Sequence, residues 1–448
     1  MSKNLCLISL GCNKNLIDSE VMLGKLREYK LVDEPQNADV IIVNTCGFIA
    51  SAKQESVEKI LEVAMLKKKS AFLVVSGCLS ERYSKELQEE IKEIDIITGV
   101  GDYNKIDLMI KELQDFKITH SHPKIITNNK TFLINDEVRL ITGSNIHSYI
   151  KISEGCNQSC SFCAIPSFKG KLQSRSIESC VKEIDTLVNK GFRDFSFIAQ
   201  DSSSYMRDLG KKDALIDLID AVEKIDGIRS ARILYLYPSS TSERLIDRIA
   251  ESSVFQNYFD MPLQHISDSM FSIMRRGANK KQHIELLNHI RNIKDSFIRT
   301  TFLLGHPGEK QSDFDELCKF VNEFKFDRIN LFAFSKEEHT RAYNMSDGVD
   351  SKITKNRINI LNKIIIKQQI ESFKSLVGKN IIAIIDGLSK ESDLLFSARD
   401  IRWDRDIDGE ILINDNLSNE PLSSGYYEVS IDDFKGDSLI GRVLRKLN

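Results

Sequence analysis

The stretch YIKISEGCNQSCSFCAIPSFKGKLQSR (149–175) carries three cysteines, Cys156, Cys160 and Cys163, in a C-x3-C-x2-C spacing directly after an apolar strand pattern. A structural zinc cage is closed by four nitrogen or sulfur ligands. No Cys or His follows Cys163 at zinc-finger spacing, so the set is one ligand short. A cubane [4Fe–4S] cluster tolerates that deficit, because three thiolates can ligate three of its irons. The missing ligand then reads as an open coordination site for something exchangeable.

Downstream of this loop the same rhythm continues. SYIKIS, DFSFIAQD, ARILYLYP, YFDMPLQH, FIRTTFLLGHPGE and DRINLFAFS read as strands, and helical patterns such as IESCVKEIDTLVNKG separate most of them. Six βα units of this kind predict a complete or partial (β/α) barrel. Polar residues cluster just after the strands, among them Glu154, Gln200, Asp201, Gln264, His265, His306 and Glu309. That is the barrel's expected active face.

Upstream, LCLISLGC, ADVIIVNTC and AFLVVSGC are apolar runs that end at Cys12, Cys46 and Cys78, and each is followed by a helical pattern. A fourth run, IDIITGV, follows them. Strands without polar alternation, interleaved with amphipathic helices, predict a parallel α/β sheet. Ligands of such sheets bind beyond the carboxyl ends of the strands. One cysteine per βα unit sits at that position, which predicts a three-thiolate site on one edge of the sheet. Residues 116–146 lose the rhythm and read as a linker with short strands. A lysine-rich helix is expected near 352–375, its charges forming a solvated face. The last seventy residues hold short strands between turns, which predicts a small five-stranded β-barrel.

The bulk numbers set the frame. At 448 residues the chain exceeds one ordinary core. Its 41% hydrophobic and 28% charged residues suit a soluble globular protein, and a net charge of −3 excludes a generally basic surface built to engulf a polyanion. No apolar run approaches the ~20 residues of a membrane span, and no export signal is evident, so a cytoplasmic protein is expected. Nine cysteines, an odd number, then argue for metal or thiol chemistry over a disulfide framework.

The cysteine loop on a first barrel strand resembles the signature of the radical S-adenosylmethionine (SAM) enzymes. Phe162 matches the aromatic position near the adenine, and TFLLGHPGE resembles the strand end that borders the SAM pocket. With the N-terminal triplet and the terminal barrel added, the whole chain resembles the radical SAM methylthiotransferases. The resemblance implies four segments: an N-terminal α/β methylthiotransferase domain (1–116), a linker (117–145), a radical SAM core barrel (146–370) and a TRAM domain (371–448). It also implies two [4Fe–4S] clusters, one at Cys156, Cys160 and Cys163 and an auxiliary one at Cys12, Cys46 and Cys78. Two SAM molecules would be consumed, one for the methyl group and one for the 5′-deoxyadenosyl radical. Phe162, Gly305 and Glu309 are the SAM contacts that the resemblance implies, and Arg175 and Gln200 are expected to join them, since a zwitterionic ligand needs fixed polar groups in its cavity.

Within that family SLGCNKNLIDSE, AQDSSSY, ILYLYPSS, MPLQH, MRRG and SARDIRWDRDIDGEILIND resemble the branch that methylthiolates the β-carbon of an aspartate in ribosomal protein S-12. Asn13 stands where proline is usual there, and His306 where phenylalanine is usual. The alternative is the transfer-RNA branch, which acts on a modified adenosine. Residues 378–448 hold nine Lys/Arg against fourteen Asp/Glu, a net of −5. RNA-binding surfaces are normally basic, so this excess favours a basic protein partner. The branch also implies an electron donor such as flavodoxin or ferredoxin, and a monomer. A merely structural iron–sulfur protein is the third reading, but it gains nothing from an open iron. Among the remaining residues, Cys6, Cys180 and Cys318 read as apolar fillers, His265 and His306 as pocket lining, and Asp18 and Glu20 as early helix carboxylates placed to favour the dipole. Trp403 could be core or partner contact.

Overall fold

Val40–Thr45 (VIIVNT) is buried at every residue, as expected of a strand covered on both faces. It is β3 of the first sheet. The others are β1 (Asn4–Ser9), β2 (Lys30–Leu31), β4 (Phe72–Gly77), β5 (Ile96–Thr98) and β6 (Lys124–Ile126), in the order β2-β1-β3-β4-β5-β6. Every pairing in it is parallel. One side of the sheet packs Cys6, Ile41, Val43, Leu73, Val75 and Ile97 into a common core. The connections include helices α1 (Asn13–Lys25), α2 (Ala50–Leu66) and the short α3 (Cys78–Arg82). The computed structural model describes residues 3–116, 124–135, 138–418 and 420–447. Residues 117–123 and 136–137 of the expected linker lie outside that description. Within the linker, β6 joins the first sheet as its sixth strand.

The chain divides into two compact units. One comprises Met1–Thr142, Lys151–Arg175 and Ser335–Asn344; the other comprises Gly143–Ile150, Ser176–Phe334 and Met345–Asn448. The cysteine loop 151–175 therefore packs with the first sheet. A two-stranded ladder, β8 (Ser153–Glu154) with β9 (Gln173–Ser174), closes this loop.

The second sheet takes β7 (His147–Lys151), β10 (Asp194–Ile198), β11 (Ser230–Ile233), β12 (Phe255–Asp260), β13 (Phe297–Leu304) and β14 (Arg328–Ala333), neighbours in chain order. From β10 to β14 all pairings are parallel. Intervening helices bury apolar stripes against the sheet, and several start at a serine or asparagine whose side chain accepts the N3 backbone N–H, as Ser176, Ser242 and Asn279 do. The expected lysine-rich helix runs from Ser351 to Leu376. Beyond it, β15 (Asn380–Leu388), β16 (Phe396–Asp400), β17 (Ile411–Asn416), β18 (Gly425–Lys435) and β19 (Ser438–Leu447) form a closed five-stranded barrel. Among the described residues, no helix is long and apolar enough to cross a membrane.

Buried charge fixes the barrel to the second sheet. Asp194 at the start of β10 accepts from Arg232 (2.7 Å) and from Arg399 of the barrel (2.7 Å), and Arg399 also binds Asp386 (2.8 Å). Tyr426 of β18 shares a hydrogen bond with Ser230 of β11 (2.8 Å). Trp403 is core: it is 3% exposed and lies 5.1 Å below the Arg328 guanidinium. Burial alone would raise the Asp194 carboxyl, but Arg232 and Arg399 hold it well below the usual range. Its contribution to stability is therefore present above the ordinary Asp pKa of about 4 and is lost as pH falls below it. Asp194→Asn would leave two buried guanidiniums short of counter-charge, so unfolding should become easier by about 3–5 kcal/mol. Thermal and urea unfolding at pH 7 measure this; a change below about 1 kcal/mol, the range of surface ion pairs, would contradict it.

Candidate functional site

Three neighbouring strands, β1, β3 and β4, end beside Cys12, Cys46 and Cys78 respectively. Cys12 is the N-cap residue of α1 and Cys78 opens α3. Each cysteine has a glycine next to it, and each glycine is required by crowding. At Gly11 (φ +89°) a Cβ would lie 2.7 Å from Cys46 Cβ and 2.9 Å from its Sγ. At Gly47 it would lie 2.7 Å from Leu79 N and 2.8 Å from the Cys78 carbonyl, and at Gly77 (φ +101°) 2.4 Å from Thr45 O. Real Cβ atoms do not approach so closely, so the loops can converge only because these positions lack side chains.

Asn15, which the sequence reading passed over, ties these loops together. Its Nδ2 donates to Leu10 O (3.1 Å) and Thr45 O (2.9 Å), and its Oδ1 faces Cys78 Sγ at 3.7 Å. Asn44 donates to Asn15 O and to Ser19 Oγ, both at 2.9 Å. Ser56 accepts from Cys46 N–H (3.0 Å) and donates to Cys46 O (2.9 Å). Asn15 lies inside the stretch SLGCNKNLIDSE, and the signal that could have singled it out is its place three residues after Cys12, on the first turn of the helix.

The three thiols differ in environment. Cys12 is exposed, while Cys46 and Cys78 are 8% and 7% exposed. Burial, with the neighbouring Cys12 acting in the same direction, pushes the Cys46 thiol up to about 11. Burial pushes Cys78 higher still, with Lys169 pulling the other way. Neighbouring thiols that resist ionisation become thiolate ligands only when a metal cation supplies the compensating charge. Among the described residues, no three His, Cys, Asp or Glu side chains gather tightly enough to hold one metal ion. A cubane asks for only one thiolate at each of three irons. The donor set and its side-chain-free cradle therefore fit an iron–sulfur cluster.

The second triplet lies in the same compact unit. The Cys156 N–H donates to Gly170 O (3.2 Å), the Cys163 N–H to Cys160 O (3.2 Å) and the Gln158 N–H to Cys156 Sγ (3.4 Å). Gly155 (φ +76°) takes the turn into the loop, where a Cβ would lie 2.2 Å from Lys171 O. All three cysteines are partly exposed, as is Phe162 between Cys160 and Cys163. The short helix Ile165–Lys169 leaves the loop, and Ala164 and Phe168 pack against Cys78 and Val100. The last strand-end cysteine of the first sheet thus touches the segment that follows Cys163.

Beneath this contact lies a buried charge cluster. Lys151 binds Glu154 (2.8 Å) and Asp18, and Lys169 stands 3.5 Å from both carboxylates. Tyr103 OH donates to Asp18 (2.8 Å). Glu20 binds Arg139 (2.6 Å). Asp18 and Glu20 lie in α1 but are 3% and 2% exposed, so buried ion pairing, and not the helix dipole, is their role.

The other expected SAM contacts fall in both units. Arg175 is 1% exposed and donates to Lys151 O (3.0 Å). Gln200 follows β10 by two residues, and Gly305 (φ +80°) follows β13 directly. Glu309 accepts from the Gly305 N–H (2.6 Å) and from Arg357 (2.6 Å), so both oxygens hold the turn around Gly305. His306 meets Phe334 edge to face at 5.2 Å, and burial lowers its pKa. A neutral ring in that contact does the packing that phenylalanine would do. Cys6 and Cys180 are buried, and Cys318 is partly so.

Residues 4–99 match Uncharacterized protein family UPF0004, and residues 150–321 match the Radical SAM superfamily. The chain is 55% identical over 447 residues to a ribosomal protein uS12 methylthiotransferase RimO of Wolinella succinogenes, covering 100% of this chain and 99% of that protein. It is 54% identical over 443 residues to the protein of that name from Helicobacter pylori J99, with 99% and 98% covered. Among solved structures, the radical SAM methyltransferase TsrM from Kitasatospora setae shares the fold, with a TM-score of 0.54 at 15% identity over 76% of this chain and 74% of that one. The chain is thus a radical SAM enzyme, and it belongs to the RimO family of ribosomal protein uS12 methylthiotransferases.

The thiol environments give an expected order of reactivity in the metal-free protein. Timed alkylation with iodoacetamide at pH 8, read by peptide mass spectrometry, should label Cys12 well before Cys46 and Cys78, because only the thiolate reacts. Labelling of Cys46 should accelerate as pH rises toward 11. Equal rates at the three sites would contradict the burial described here.

Proposed function

We propose that this chain methylthiolates the β-carbon of an aspartate in ribosomal protein uS12, with two SAM molecules, a sulfur donor and two [4Fe–4S] clusters. In this reading Cys156, Cys160 and Cys163 hold the cluster that binds and reduces SAM, and Cys12, Cys46 and Cys78 hold an auxiliary cluster where sulfur is staged. The single observation that carries it is the packing of Cys78 against Ala164 and Phe168, which joins the two cysteine sets within one unit. Sulfur transfer next to a radical source needs such proximity. A [4Fe–4S] cluster with one open iron supplies an electron and a chelation point for the amino and carboxylate groups of SAM.

The chain's own residues orient and enclose. Gly155, Gly11, Gly47 and Gly77 bring backbone close where side chains would block the sites. Phe162 would lie against the adenine, and Arg175, Gln200, Gly305 and Glu309 would be the further SAM contacts. Functionally the chain divides as 1–116, 117–145, 146–370 and 371–448, the last segment meeting the protein substrate. That barrel's surface is less acidic than its composition. Asp400, Asp404 and Asp408 are buried. Its exposed residues comprise seven acids (Glu391, Asp393, Asp406, Asp415, Glu420, Asp433, Asp437) and five bases (Lys379, Lys390, Lys435, Arg445, Lys446). With the partly exposed Asp386, Glu410, Glu428, Asp432, Arg402, Arg405 and Arg442 included, the surface excess is −3, so full-length kinship with uS12-directed relatives supports the protein substrate more strongly than charge does. The enzyme works in the cytoplasm as a monomer, reduced by a flavodoxin or ferredoxin.

Anaerobic reconstitution should load about eight irons per chain, and alanine at either cysteine triplet should leave about four. Reductive SAM cleavage should vanish only with the Cys156, Cys160 and Cys163 set. Methyl label from SAM should enter uS12 when uS12 and transfer RNA are offered together. Label in transfer RNA alone would overturn the substrate, and four irons in the unaltered chain would overturn the second cluster.

A further inference from the structure

Four charged side chains meet inside the first unit with no solvent access: Lys151 and Lys169 are 2% and 3% exposed, Asp18 and Glu154 3% and 1%. The cluster holds two cations and two anions, yet its partners are unequally matched. Lys151 Nζ sits 2.8 Å from Glu154 and is hydrogen-bonded to Asp18, while Lys169 Nζ stands 3.5 Å from each carboxylate. Lys151 therefore makes the shorter carboxylate contacts and Lys169 the longer ones, so the two cations are held unequally. Tyr103 adds a donor to Asp18 and no charge, because burial and Asp18 push its phenol well up.

The position of Lys169 gives this imbalance a target. It follows Phe168, the residue packed on Cys78, and precedes Gly170, whose carbonyl holds the Cys156 N–H. Its ammonium is close enough to act electrostatically on both Cys46 and Cys78. Asp18 approaches from α1, whose N-cap residue is Cys12. Cation and counter-anion thus come from two different elements of the unit, the segment after Cys163 and the helix after Cys12. A buried ion pair is weak evidence for a gain in stability. Buried charge beside an iron–sulfur cluster, by contrast, shifts its reduction potential directly.

We propose that Lys169, partly countered by Asp18, is a positioning residue that raises the reduction potential of the cluster held by Cys12, Cys46 and Cys78. The proposal rests on the assignment of those three cysteines as ligands. Adding an electron makes the cluster more negative, so a nearby cation favours the reduced form. Removing Lys169 takes that preference away, and removing the Asp18 charge strengthens it.

The test uses the full-length chain with Cys156→Ala, Cys160→Ala and Cys163→Ala, so that only the strand-end cluster can load. EPR-monitored potentiometric titration reads its one-electron couple. In this background Lys169→Met should lower the reduced-to-oxidised ratio at a fixed potential about tenfold, a shift of about 59 mV toward negative values. Asp18→Asn should shift the midpoint the opposite way, and Lys169→Arg should restore it. Opposite signs cannot come from general loosening of the site, which would move both variants alike or neither. Unchanged midpoints, or shifts of the same sign, with iron content intact would overturn the proposal. No cluster signal in the background chain itself would overturn the ligand assignment, and the proposal with it.

Discussion

Three thiols can meet at one edge of a parallel sheet only if the turns that carry them take almost no room. Gly11, Gly47 and Gly77 satisfy that constraint at the ends of three adjacent strands. Close approach of backbone exposes polar groups that must be paired, and Asn15, Asn44 and Ser56 supply the partners. The cysteines are therefore held by a hydrogen-bonded frame of the chain's own side chains. Such preorganisation lowers the cost of assembling a cluster on a chain that would otherwise have to order its ligands first.

The same unit solves a second problem, the placement of two cysteine sets far apart in sequence. Phe168 and Ala164 reach Cys78 because the loop 151–175 is closed on itself by the β8–β9 ladder and by Cys156 bonding to Gly170. The buried cluster of Lys151, Lys169, Asp18 and Glu154 locks the loop onto α1. These charges cost desolvation, and breaking one pair would leave the others stranded. In the second unit, Asp194, Arg232 and Arg399 do comparable work between sheet and barrel.

Much of this was legible in the sequence, for reasons of period and place. Apolar runs ending at Cys12, Cys46 and Cys78 announced a parallel sheet with thiols at its functional edge, and the C-x3-C-x2-C loop announced a three-ligand site. What stayed hidden depends on contacts distant in sequence. Nothing near Asp18 points to Lys151 or Lys169, so a helical carboxylate looked like a dipole partner. β6 is three residues long, too short to show a period inside the linker. The charge of the terminal barrel was counted correctly but misplaced, because Asp400, Asp404 and Asp408 are spent inside. Composition records charge and not exposure.

The most direct test of the account is mass spectrometry of uS12 after anaerobic incubation with the reconstituted chain, SAM, sulfide and dithionite. The mass of a methylthio group replacing hydrogen should appear on one aspartate, and it should disappear when Cys12, Cys46 and Cys78 are replaced by alanine. An unmodified aspartate in intact uS12, with SAM still being cleaved, would contradict the assignment of this chain to that substrate.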